Sequence, residues 1–270
     1  MPGTLFVVAT PIGNLEDITV RALRVLREVA VIAAEDTRRT AHLLARHAIA
    51  TPTTSLHEHN ETRKSASLVA RLLQGDSVAL VSDAGSPTIA DPGQRLIAEA
   101  IAAGIRVEPI PGPNAAIATL MVSGLPIDGF AFGGFPPTRG KDRKMWFQRL
   151  VRIGGTVVFF EAPHRIVRTL EELAALAGDC EVVVGRELTK IHEELVRGPI
   201  SLVLKRLVSA RGEFTVVANI GQTTHNDIDV IGDSTEIMAG SRRKAIASLA
   251  RMLDLSANEV YNALEKLRNR

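Results

Sequence analysis

A binding loop is predicted where a short apolar run, Val78 to Val81, gives way to the polar stretch from Ser82 to Gly93. The glycines and prolines of this stretch prevent a helix or a strand from continuing. Hydroxyl and carboxyl groups are concentrated on it, at Ser82, Asp83, Ser86, Thr88 and Asp91. Open α/β sheets bind their ligands beyond the carboxyl ends of their strands. The pattern therefore indicates a ligand-binding loop, with an ordinary surface turn as the alternative.

Three further loops have the same character and follow apolar runs that predict strands: residues 10–14, 111–116 and 161–165. We expect these loops to line one cleft together with the loop 82–93. They offer backbone N–H and C=O groups, small side chains and a few carboxylates. Such a site suits a polar, folded cofactor that carries amino and hydroxyl groups.

Two charged segments have a second interpretation. The β-prone run Val31 to Ala34 ends in Glu35-Asp36-Thr37-Arg38-Arg39, which predicts either a site or internal salt bridges. Residues 136–144 are the most basic segment before the C-terminus, with Trp146 and Phe147 close behind. This segment could contact the phosphates of an RNA. The alternative is a solvated loop that leads into a helix whose aromatic residues belong to the core.

Composition limits the function classes that fit. The formal net charge is +2 and aromatic residues make up 4% of the chain, so neither a global signature of nucleic-acid binding nor an aromatic base-stacking platform is expected. A single cysteine, Cys180, excludes a disulfide framework and a multi-cysteine metal site. The sequence has no P-loop, no G-x-G-x-x-G and no G-x-S-x-G motif. We expect a soluble, cytoplasmic protein, because no apolar run is long enough to span a membrane and the N-terminus lacks the features of a signal peptide.

The apolar periodicity predicts the elements that position these loops. Residues 1–124 alternate strands with helices, which indicates a mostly parallel sheet surrounded by helices. Residues 125–221 are predicted to form a second α/β domain with a more mixed sheet, residues 222–241 a linker, and residues 242–270 a small helical region with a basic outer face. That last region is either a helix-turn-helix-like tail or a helical hairpin that packs on a partner subunit.

A series of ordered segments carries a resemblance to a known family: TLFVVATPIGNLEDIT, AAEDTRRT, LHEHNE, VALVSDAGSPTIADPG, PIPGPNAA, FFEAPHR, RELTKIHEE and GEF. Over about residues 3 to 221 the chain closely resembles the ribosomal RNA small-subunit methyltransferase I family, whose fold is similar to that of the tetrapyrrole methylases. The resemblance implies S-adenosylmethionine-dependent 2′-O-methylation of a cytidine ribose in the decoding region of 16S rRNA. It also implies two α/β domains of tetrapyrrole-methylase type, a cofactor cleft between them, and a homodimer.

The resemblance also assigns residues to the cofactor. Tetrapyrrole methylases carry a Gly-Asp-Pro loop where this chain has Gly85-Ser86-Pro87, so the family's aspartate is absent and Asp83 is the candidate to take over part of its role. Their first Pro-Gly loop corresponds here to Pro11-Ile12-Gly13-Asn14. By this mapping the cofactor-binding residues are Pro11, Asp83, Ala84, Ser86, Ile89, Asn114, Ala115, Glu161 and Phe214.

The implied reaction needs a group that accepts the proton of a 2′-hydroxyl, because this hydroxyl is a poor nucleophile at neutral pH. A positioned base contributes about 10²–10⁴-fold to such a transfer. The catalytic candidates are Glu161, which is placed first because it ends a strand at the predicted cleft, then Asp36 and His164, with Glu35, His57 and Glu187 also open. No metal is expected, since the methyl group of the donor is already activated by its positive sulfur.

Cationic side chains near the cleft are predicted to hold RNA phosphates, with an interdomain ion pair as the alternative for each charged residue. They are Arg38, Arg39, Arg139, Lys141, Arg143, Arg165 and Arg186. Two other functions stay open: a C-methyltransferase acting on a tetrapyrrole, and a noncatalytic RNA-binding protein of ribosome assembly. The AEDTR, EAPHR and RELTK segments favour the RNA branch over the tetrapyrrole branch.

Overall fold

In the computed structural model, which describes residues 1–207, 211–221 and 256, the chain builds two five-stranded sheets. The first sheet has the order β3-β2-β4-β1-β5, and all of its strand pairs are parallel. Its strands are β1 (Thr4–Val8), β2 (Val31–Ala34), β3 (Thr53–Ser55), β4 (Val78–Val81) and β5 (Arg106–Ile110). Every residue of β2 and β4 is buried. Such uninterrupted apolar strands are typical of a parallel sheet with both faces covered.

Helices cover both faces of the first sheet. They are α1 (Val20–Glu28), α2 (Thr37–Arg46), α3 (Glu61–Leu73), α4 (Gln94–Ala102) and α5 (Ala115–Met121), and a short 3₁₀ helix, Leu15–Asp17, precedes α1. The apolar sides of α1 and α2 pack on one face of the sheet and those of α3 and α4 on the other. Side chains of the preceding loops begin three of these helices, because Thr19, Asp36 and Asn114 accept hydrogen bonds from free backbone N–H groups.

The second sheet is mixed and has the order β6-β7-β10-β8-β9. Its strands are β6 (Phe130–Phe132), β7 (Thr156–Glu161), β8 (Glu181–Arg186), β9 (Glu194–Pro199) and β10 (Phe214–Asn219). Strand β6 pairs with β7 in parallel, and the other pairs are antiparallel. Its helices are α6 (Gly140–Ile153), α7 (Ile166–Ala177) and α8 (Ile200–Arg206), which pack on the face that carries Val157 and Phe159.

Helix α5 joins the two sheets. It follows β5 of the first sheet, yet Ala116 and Leu120 on α5 pack against Val158, Val183 and Val217 of the second sheet. Both sheets belong to one compact unit, Met1–Gln222. The loops after β1, β2, β4 and β5 therefore lie between the first sheet and the ends of β7 and β10.

The predicted α/β fold with a parallel sheet and a mixed sheet is confirmed. Two edge strands were absent from the prediction, because β3 has only three residues and β9 contains Arg197, Gly198 and Pro199. Helix α2 begins at Thr37 rather than at residue 40, since Asp36 caps it.

The boundary predicted between residues 124 and 125 stays a prediction. The predicted linker 222–241 and the predicted helical region 242–270 lie outside the described residues, apart from Ser256. Within the described part of the chain, no helix is long and apolar enough to cross a membrane.

Candidate functional site

A cavity of about 340 Å³ lies at the carboxyl end of the first sheet and reaches the ends of β7 and β10. This volume is in the range of small-molecule sites in proteins. The loops after β1, β2, β4 and β5 form one wall, and the second sheet forms the other. The lining residues are Ile12, Glu35, Arg39, Asp83, Ala84, Gly85, Ser86, Ile89, Ala90, Asp91, Asn114, Ala115, Phe135, Phe160, Glu161, Ala162, Pro163, Leu188, Glu213, Phe214 and Thr215.

The loop 82–93 is held open against the loop that follows β1. The backbones of Thr10 and Gly85 exchange two hydrogen bonds, with N···O distances of 2.8 and 3.0 Å. Gly85 has a φ of 77°, which favours glycine, and a Cβ there would lie 3.3 Å from Ile12 Cγ2. Thr88 and Ala90 also have left-handed φ values, 68° and 66°. Such conformations cost of order 1–3 kcal/mol each in non-glycine residues and cluster at binding sites.

Three carboxylates line the cavity on the side of the first sheet: Glu35, Asp83 and Asp91, here called the cavity carboxylates. Burial and repulsion from Asp83 raise the pKa of Glu35 above its usual value. Burial and repulsion from Glu35 raise the pKa of Asp91 to about 6, against a smaller opposing effect of its hydrogen bond with Ser82. At least two of these groups therefore bind protons more tightly than an exposed carboxylate does.

One cation, Arg39, lies near the cavity carboxylates. Its Nη1 is 3.5 Å from Asp83 Oδ2, and its side chain is largely exposed. The backbone N–H of Asp36 donates to the other carboxylate oxygen of Asp83, at 2.9 Å. Asp83 is thus held on both sides, whereas no described cation forms an ion pair with Glu35 or Asp91.

A second cavity of about 200 Å³ adjoins the first on the side of the loop after β1. The two cavities share Ile12, Arg39, Asp83, Ala84 and Glu213. Among the residues that line only the second are Thr10, Pro11, Gly13, Thr40, His42, Ser82 and Lys190. A ligand in one cavity is therefore separated from the other only by this shared wall.

The segment Glu187–Lys190, between β8 and β9, closes both cavities from the second sheet. The backbone N–H of Asn14 donates to Thr189 Oγ1 at 2.9 Å. A Cβ on Gly13 would lie 2.5 Å from Lys190 Cγ, so only glycine fits the loop at this contact. Lys190 pairs with Glu187 and Glu213, at 2.9 and 3.0 Å. The RELTK segment of the sequence therefore holds the two walls together.

The carboxylate of Glu161 points away from the cavity into a buried group of charges, here called the Glu161 cluster: Glu161, Arg143, Arg165, Thr169 and Glu172. Glu161 Oε1 lies 2.7 Å from Arg165 Nη2, and Oε2 lies 3.7 Å from Arg143 Nη1 and accepts from Thr169 Oγ1 at 2.5 Å. Arg143 also pairs with Glu172, at 2.6 Å. The side chain of Glu161 is 0% exposed, so this residue borders the cavity through its backbone alone.

This geometry contradicts the prediction that Glu161 is the general base. Side chains alternate between the faces of a strand. Val157 and Phe159 on β7 face α6 and α7, and Glu161 shares their face, whereas Phe160 faces the cavity. The other two catalytic candidates line neither cavity: His164 is exposed, and Asp36 caps α2. Hydrogen bonds from the side chain and backbone of Arg38 lower the pKa of Asp36 to about 2, which makes it a weak base.

The residues predicted to bind the cofactor come together. Asp83, Ala84, Ser86, Ile89, Asn114, Ala115, Glu161 and Phe214 all line the first cavity, and Pro11 lines the second. Asn114 also donates to Ser86 Oγ, at 3.3 Å, which ties the loop after β5 to the loop after β4. Their role as cofactor contacts stays a prediction.

The cations predicted to bind RNA divide into two sets. Arg38, Arg39, Arg139 and Lys141 are exposed. Arg143 is 4% exposed and is held in the Glu161 cluster, which contradicts its prediction as an RNA contact. Arg165 and Arg186 are mostly buried as well, and they bind internal acceptors, including Pro136 O and Arg211 O.

Sequence reasoning missed several lining residues. Asp91 was recognised as a polar group of the loop 82–93 but was not selected as a site residue, although its two neighbours in the cavity wall, Ile89 and Ala90, lie in the same segment. Leu188 and Glu213 lie in the RELTK and GEF segments, whose positions in the sequence gave no indication of which side chain faces the cavity. Among the described residues, no group of three or more His, Cys, Asp or Glu is arranged to hold a metal ion.

Comparison with known proteins agrees with the geometry. Residues 4–203 match the family model described as Tetrapyrrole (Corrin/Porphyrin) Methylases. The chain is 46% identical over 217 residues to "Ribosomal RNA small subunit methyltransferase I" of Halalkalibacterium halodurans, covering 80% of this chain and 75% of the relative. A protein of the same name from Mesorhizobium japonicum is 40% identical over 274 residues, covering 98% of this chain and 92% of the relative.

Solved structures show the same fold at low sequence identity. A diphthine synthase superposes with a TM-score of 0.63 at 18% identity, covering 80% of this chain and 90% of that chain. A uroporphyrin-III C-methyltransferase from Thermus thermophilus, complexed with S-adenyl homocysteine, superposes with a TM-score of 0.57 at 19% identity, covering 81% of this chain and 98% of that chain. These likenesses confirm the predicted tetrapyrrole-methylase type of fold.

Proposed function

Since this chain belongs to the tetrapyrrole methylase family, and within it to the ribosomal RNA small subunit methyltransferase I group, we propose that it methylates the 2′-hydroxyl of a cytidine ribose in the decoding region of 16S rRNA, with S-adenosylmethionine as the donor. The observation that carries the proposal is the single cavity around which all the expected cofactor residues except Pro11 lie. Relatives at 40–50% identity bear the name of a ribosomal RNA methyltransferase, and a structural neighbour was solved with S-adenyl homocysteine.

The first cavity fits the proposed cofactor in size and charge. S-adenosylmethionine carries a positive sulfur and a positive amino group, which the cavity carboxylates complement. Ala84, Gly85 and Ala115 are small, so a ligand can approach the backbone of the two loops closely. The residues that would hold the cofactor are Asp83, Ala84, Ser86, Ile89, Asn114, Ala115 and Phe214, with Pro11 from the adjoining cavity and Glu161 through its backbone.

When bound, the cofactor supplies a methyl group that its positive sulfur has already activated. The protein must then hold the ribose hydroxyl in line and accept its proton. Asp91 is our candidate for this acceptor, because it lines the cavity, forms no ion pair with a described cation, and has a pKa of about 6. Glu35 is the second candidate, since its pKa is also raised by burial. Both are deprotonated for a large part of the time at neutral pH and are stronger bases than an ordinary carboxylate.

The RNA would approach past the exposed cations. Arg39 is common to both cavities, so it is placed to contact the phosphate next to the reacting ribose, and Arg38 lies beside it at the start of α2. Arg139 and Lys141 lie on the side of the second sheet. In this proposal the cofactor lies in a cleft between residues 1–124 and 125–221, and the small ribosomal subunit is the partner.

A homodimer is part of the proposal. Met121 on α5 and Ile127 and Phe130 beside the edge strand β6 are large apolar residues that remain exposed, and a second copy would cover such residues. Light scattering on the purified protein measures the mass. A monomeric mass over the micromolar range would contradict the homodimer and leave the catalytic proposal standing.

The proposed reaction is tested by incubating the purified protein with radiolabelled S-adenosylmethionine and small ribosomal subunits from a strain that lacks the modification. We expect one methyl group per subunit, mapped by nuclease protection and mass spectrometry to the ribose of a cytidine in the decoding region. Subunits that already carry the methyl group are the control and should accept none.

Other outcomes assign other functions. Transfer to a base, or to a different ribose, would contradict the cytidine 2′-O site and keep the RNA methyltransferase. Binding of the cofactor without transfer to subunits or to free 16S rRNA would contradict the RNA substrate. A C-methyltransferase for a tetrapyrrole would then be tested with a porphyrin-type acceptor.

A further inference from the structure

Three phenylalanines lie together beside the first cavity: Phe132, Phe135 and Phe160, here called the phenylalanine cluster. The ring of Phe160 has its centroid 5.2 Å from that of Phe132 and 5.4 Å from that of Phe135, at interplanar angles of 70° and 54°. Phe135 and Phe160 line the cavity, and Phe132 extends the cluster outside it. Phe135 is 50% exposed and Phe132 is 39% exposed. Adjacent aromatic rings that stay exposed at the rim of a cavity mark a binding surface rather than a core.

The backbone fixes these rings without a ligand. Two glycines, Gly133 and Gly134, separate Phe132 from Phe135, and they continue the pairing of β6 with β7 through N···O distances of 2.8 and 2.9 Å. Gly134 has a φ of 65°, which glycine adopts readily and which turns the chain so that the next ring reaches Phe160. Trp146 Nε1 donates to Gly133 O at 2.8 Å. The cluster is therefore preorganised, which lowers the entropy lost on binding.

Exposed cations follow the cluster along the chain. Arg139, Lys141 and Lys144 lie at the start of α6 and are all exposed. Within residues 1–207 and 211–221, no carboxylate forms an ion pair with any of these three side chains. The loop that leads to them is anchored, since Arg165 of the Glu161 cluster donates to Pro136 O at 3.1 Å. Aromatic rings beside a row of cations are the combination that proteins use to bind single-stranded nucleic acid.

The charges at the two ends of the cavity differ. The end formed by the first sheet carries the cavity carboxylates, which suit a cationic cofactor. The end formed by the second sheet carries the phenylalanine cluster and leads to the three cations, which suit bases and phosphates. A planar base stacked at this end would belong to the RNA rather than to the cofactor, because the cations repel a positive sulfur and attract a phosphate.

We propose that the phenylalanine cluster is a stacking site for an unpaired base of the RNA substrate, and that Arg139, Lys141 and Lys144 bind the phosphates beside it. The inference rests on the proposed function, because it names the part of the same site that receives the RNA. It assigns Phe135 and Phe160 as positioning residues and indicates that the substrate is recognised in a single-stranded form.

The test compares Phe135→Ala, Phe135→Trp and Phe135→Leu in the full-length protein, with Ile153→Ala as the matched control. Ile153 is also 50% exposed, and it lines neither cavity. Binding of a short fluorescent oligocytidylate is measured by anisotropy, and binding of S-adenosylmethionine by calorimetry. We expect Phe135→Ala to weaken oligocytidylate binding by about 5- to 150-fold and to leave cofactor binding unchanged. Phe135→Trp should retain the binding, and Phe135→Leu should lose most of it, since leucine keeps the apolar volume but not the ring.

The cations give an independent readout. Lys141→Ala and Lys144→Ala should each weaken oligocytidylate binding and lower the slope of log K against log salt by about 0.7, as expected for one lost phosphate contact on a single strand. Lys205→Ala, on α8, is the control and should leave the slope unchanged. An unchanged slope in both α6 variants would contradict the phosphate contacts.

Three results would overturn the stacking site. Phe135→Ala that behaves like Ile153→Ala, Phe135→Leu that binds RNA as well as the wild type, or a loss of cofactor binding with RNA binding unchanged would each do so. The last result would assign the cluster to the adenine of the cofactor. Failure of the proposed function looks different: the wild type would not methylate small subunits at a ribose, whatever the variants do to oligocytidylate binding.

Discussion

Carboxylates follow or end strands in both sheets, and their surroundings give them opposite properties. The cavity carboxylates Glu35 and Asp91 are partly buried and form no ion pair with a described cation, so burial raises the pKa of each. In the Glu161 cluster, burial also acts to raise the pKa of Glu172, but hydrogen bonds from Arg168 and Arg143 outweigh it, and the pKa falls below its usual value. The Glu161 side chain is closed off from solvent between two arginines.

The two groups look alike in the sequence. Each lies in a segment in which acidic residues at or just after a strand are followed by arginine, EDTRR after β2 and EAPHR at the end of β7. What separates them is whether a guanidinium reaches the carboxylate. A carboxylate held by arginines stabilises a fold or positions a loop, and one left without a cation can take up a proton during a reaction.

The largest expected effect that tests this difference is on catalysis. Asp91→Asn keeps the shape of the side chain and removes its basicity, so we expect kcat for methyl transfer to fall by about 10²–10⁴-fold with little change in cofactor affinity. Radiolabelled transfer at saturating substrates measures kcat, and calorimetry measures the affinity. Asp128→Asn, at an exposed carboxylate outside both cavities, is the control. A variant with full kcat would remove Asp91 as the proton acceptor and leave Glu35.

The next effect is on stability. Glu161→Gln leaves Arg143 and Arg165 mostly buried without their carboxylate, and loss of one partner of a buried ion pair costs about 3–5 kcal/mol of unfolding free energy. Urea unfolding measures this free energy, and Glu171→Gln, at an exposed position of α7, is the control. If Glu161→Gln unfolded like the wild type and yet lost all activity, Glu161 would be a catalytic group and the comparison would fail.

A third effect is on the pH dependence of the reaction. A general base must be deprotonated, so kcat should rise by about tenfold per pH unit below pH 6 and level off above the Asp91 pKa of about 6. Rates measured from pH 5 to 8 in buffers of constant ionic strength give the profile. A profile that is flat across pH 6 would contradict the role of Asp91, whatever the effect of its substitution.

The same group affects stability with the opposite sign. Its pKa rises from 3.8 to about 6 on folding, so the folded state binds the extra proton between these values. The stabilisation linked to that proton is fully present below about pH 4 and is lost as the pH rises through 6. Asp91→Asn should therefore flatten the pH dependence of the melting temperature over this window and raise the melting temperature at pH 7. Asp128→Asn should do neither.

The smallest expected effect lies at the edge of the Glu161 cluster. Arg168 pairs with Glu172 at 2.7 Å, but its side chain is 72% exposed. Arg168→Ala should cost only about 0.2–1 kcal/mol in urea unfolding, because exposed ion pairs contribute little. A loss as large as that of Glu161→Gln would show that burial is not what distinguishes the members of the cluster.

Much of the fold followed from the sequence because its strongest patterns are local. The apolar runs of β2 and β4, the helix over residues 166–177 and the polar loops after the strands are all properties of neighbouring residues. The edge strands β3 and β9 have no such pattern, since their pairing comes from strands elsewhere in the chain.

The site was only partly predictable for the same reason. The loops that line the cavity were identified correctly, but the direction of Glu161 depends on Arg143, which comes from α6 and lies 18 positions earlier in the chain. One local signal was available: in a strand, neighbouring side chains face opposite sides, so if Phe160 faces the cavity then Glu161 does not. The raised pKa of Asp91 had no local signal, because it arises from Glu35, which lies on the loop after another strand.

Helix α5 has a consequence for the kinetics of turnover. Its residues Ala116 and Leu120 are buried against the second sheet, while its N-terminal residues, Asn114 and Ala115, line the cavity. Because close-packed interfaces do not deform gradually, a hinge motion between the two sheets would have to break this packing each time a product left. Spent cofactor is therefore expected to leave through motion of the loop 82–93 or of the segment Glu187–Lys190, on the microsecond to millisecond scale of loop opening. The release step is thus assigned to the parts of the wall that carry strained, non-glycine backbone.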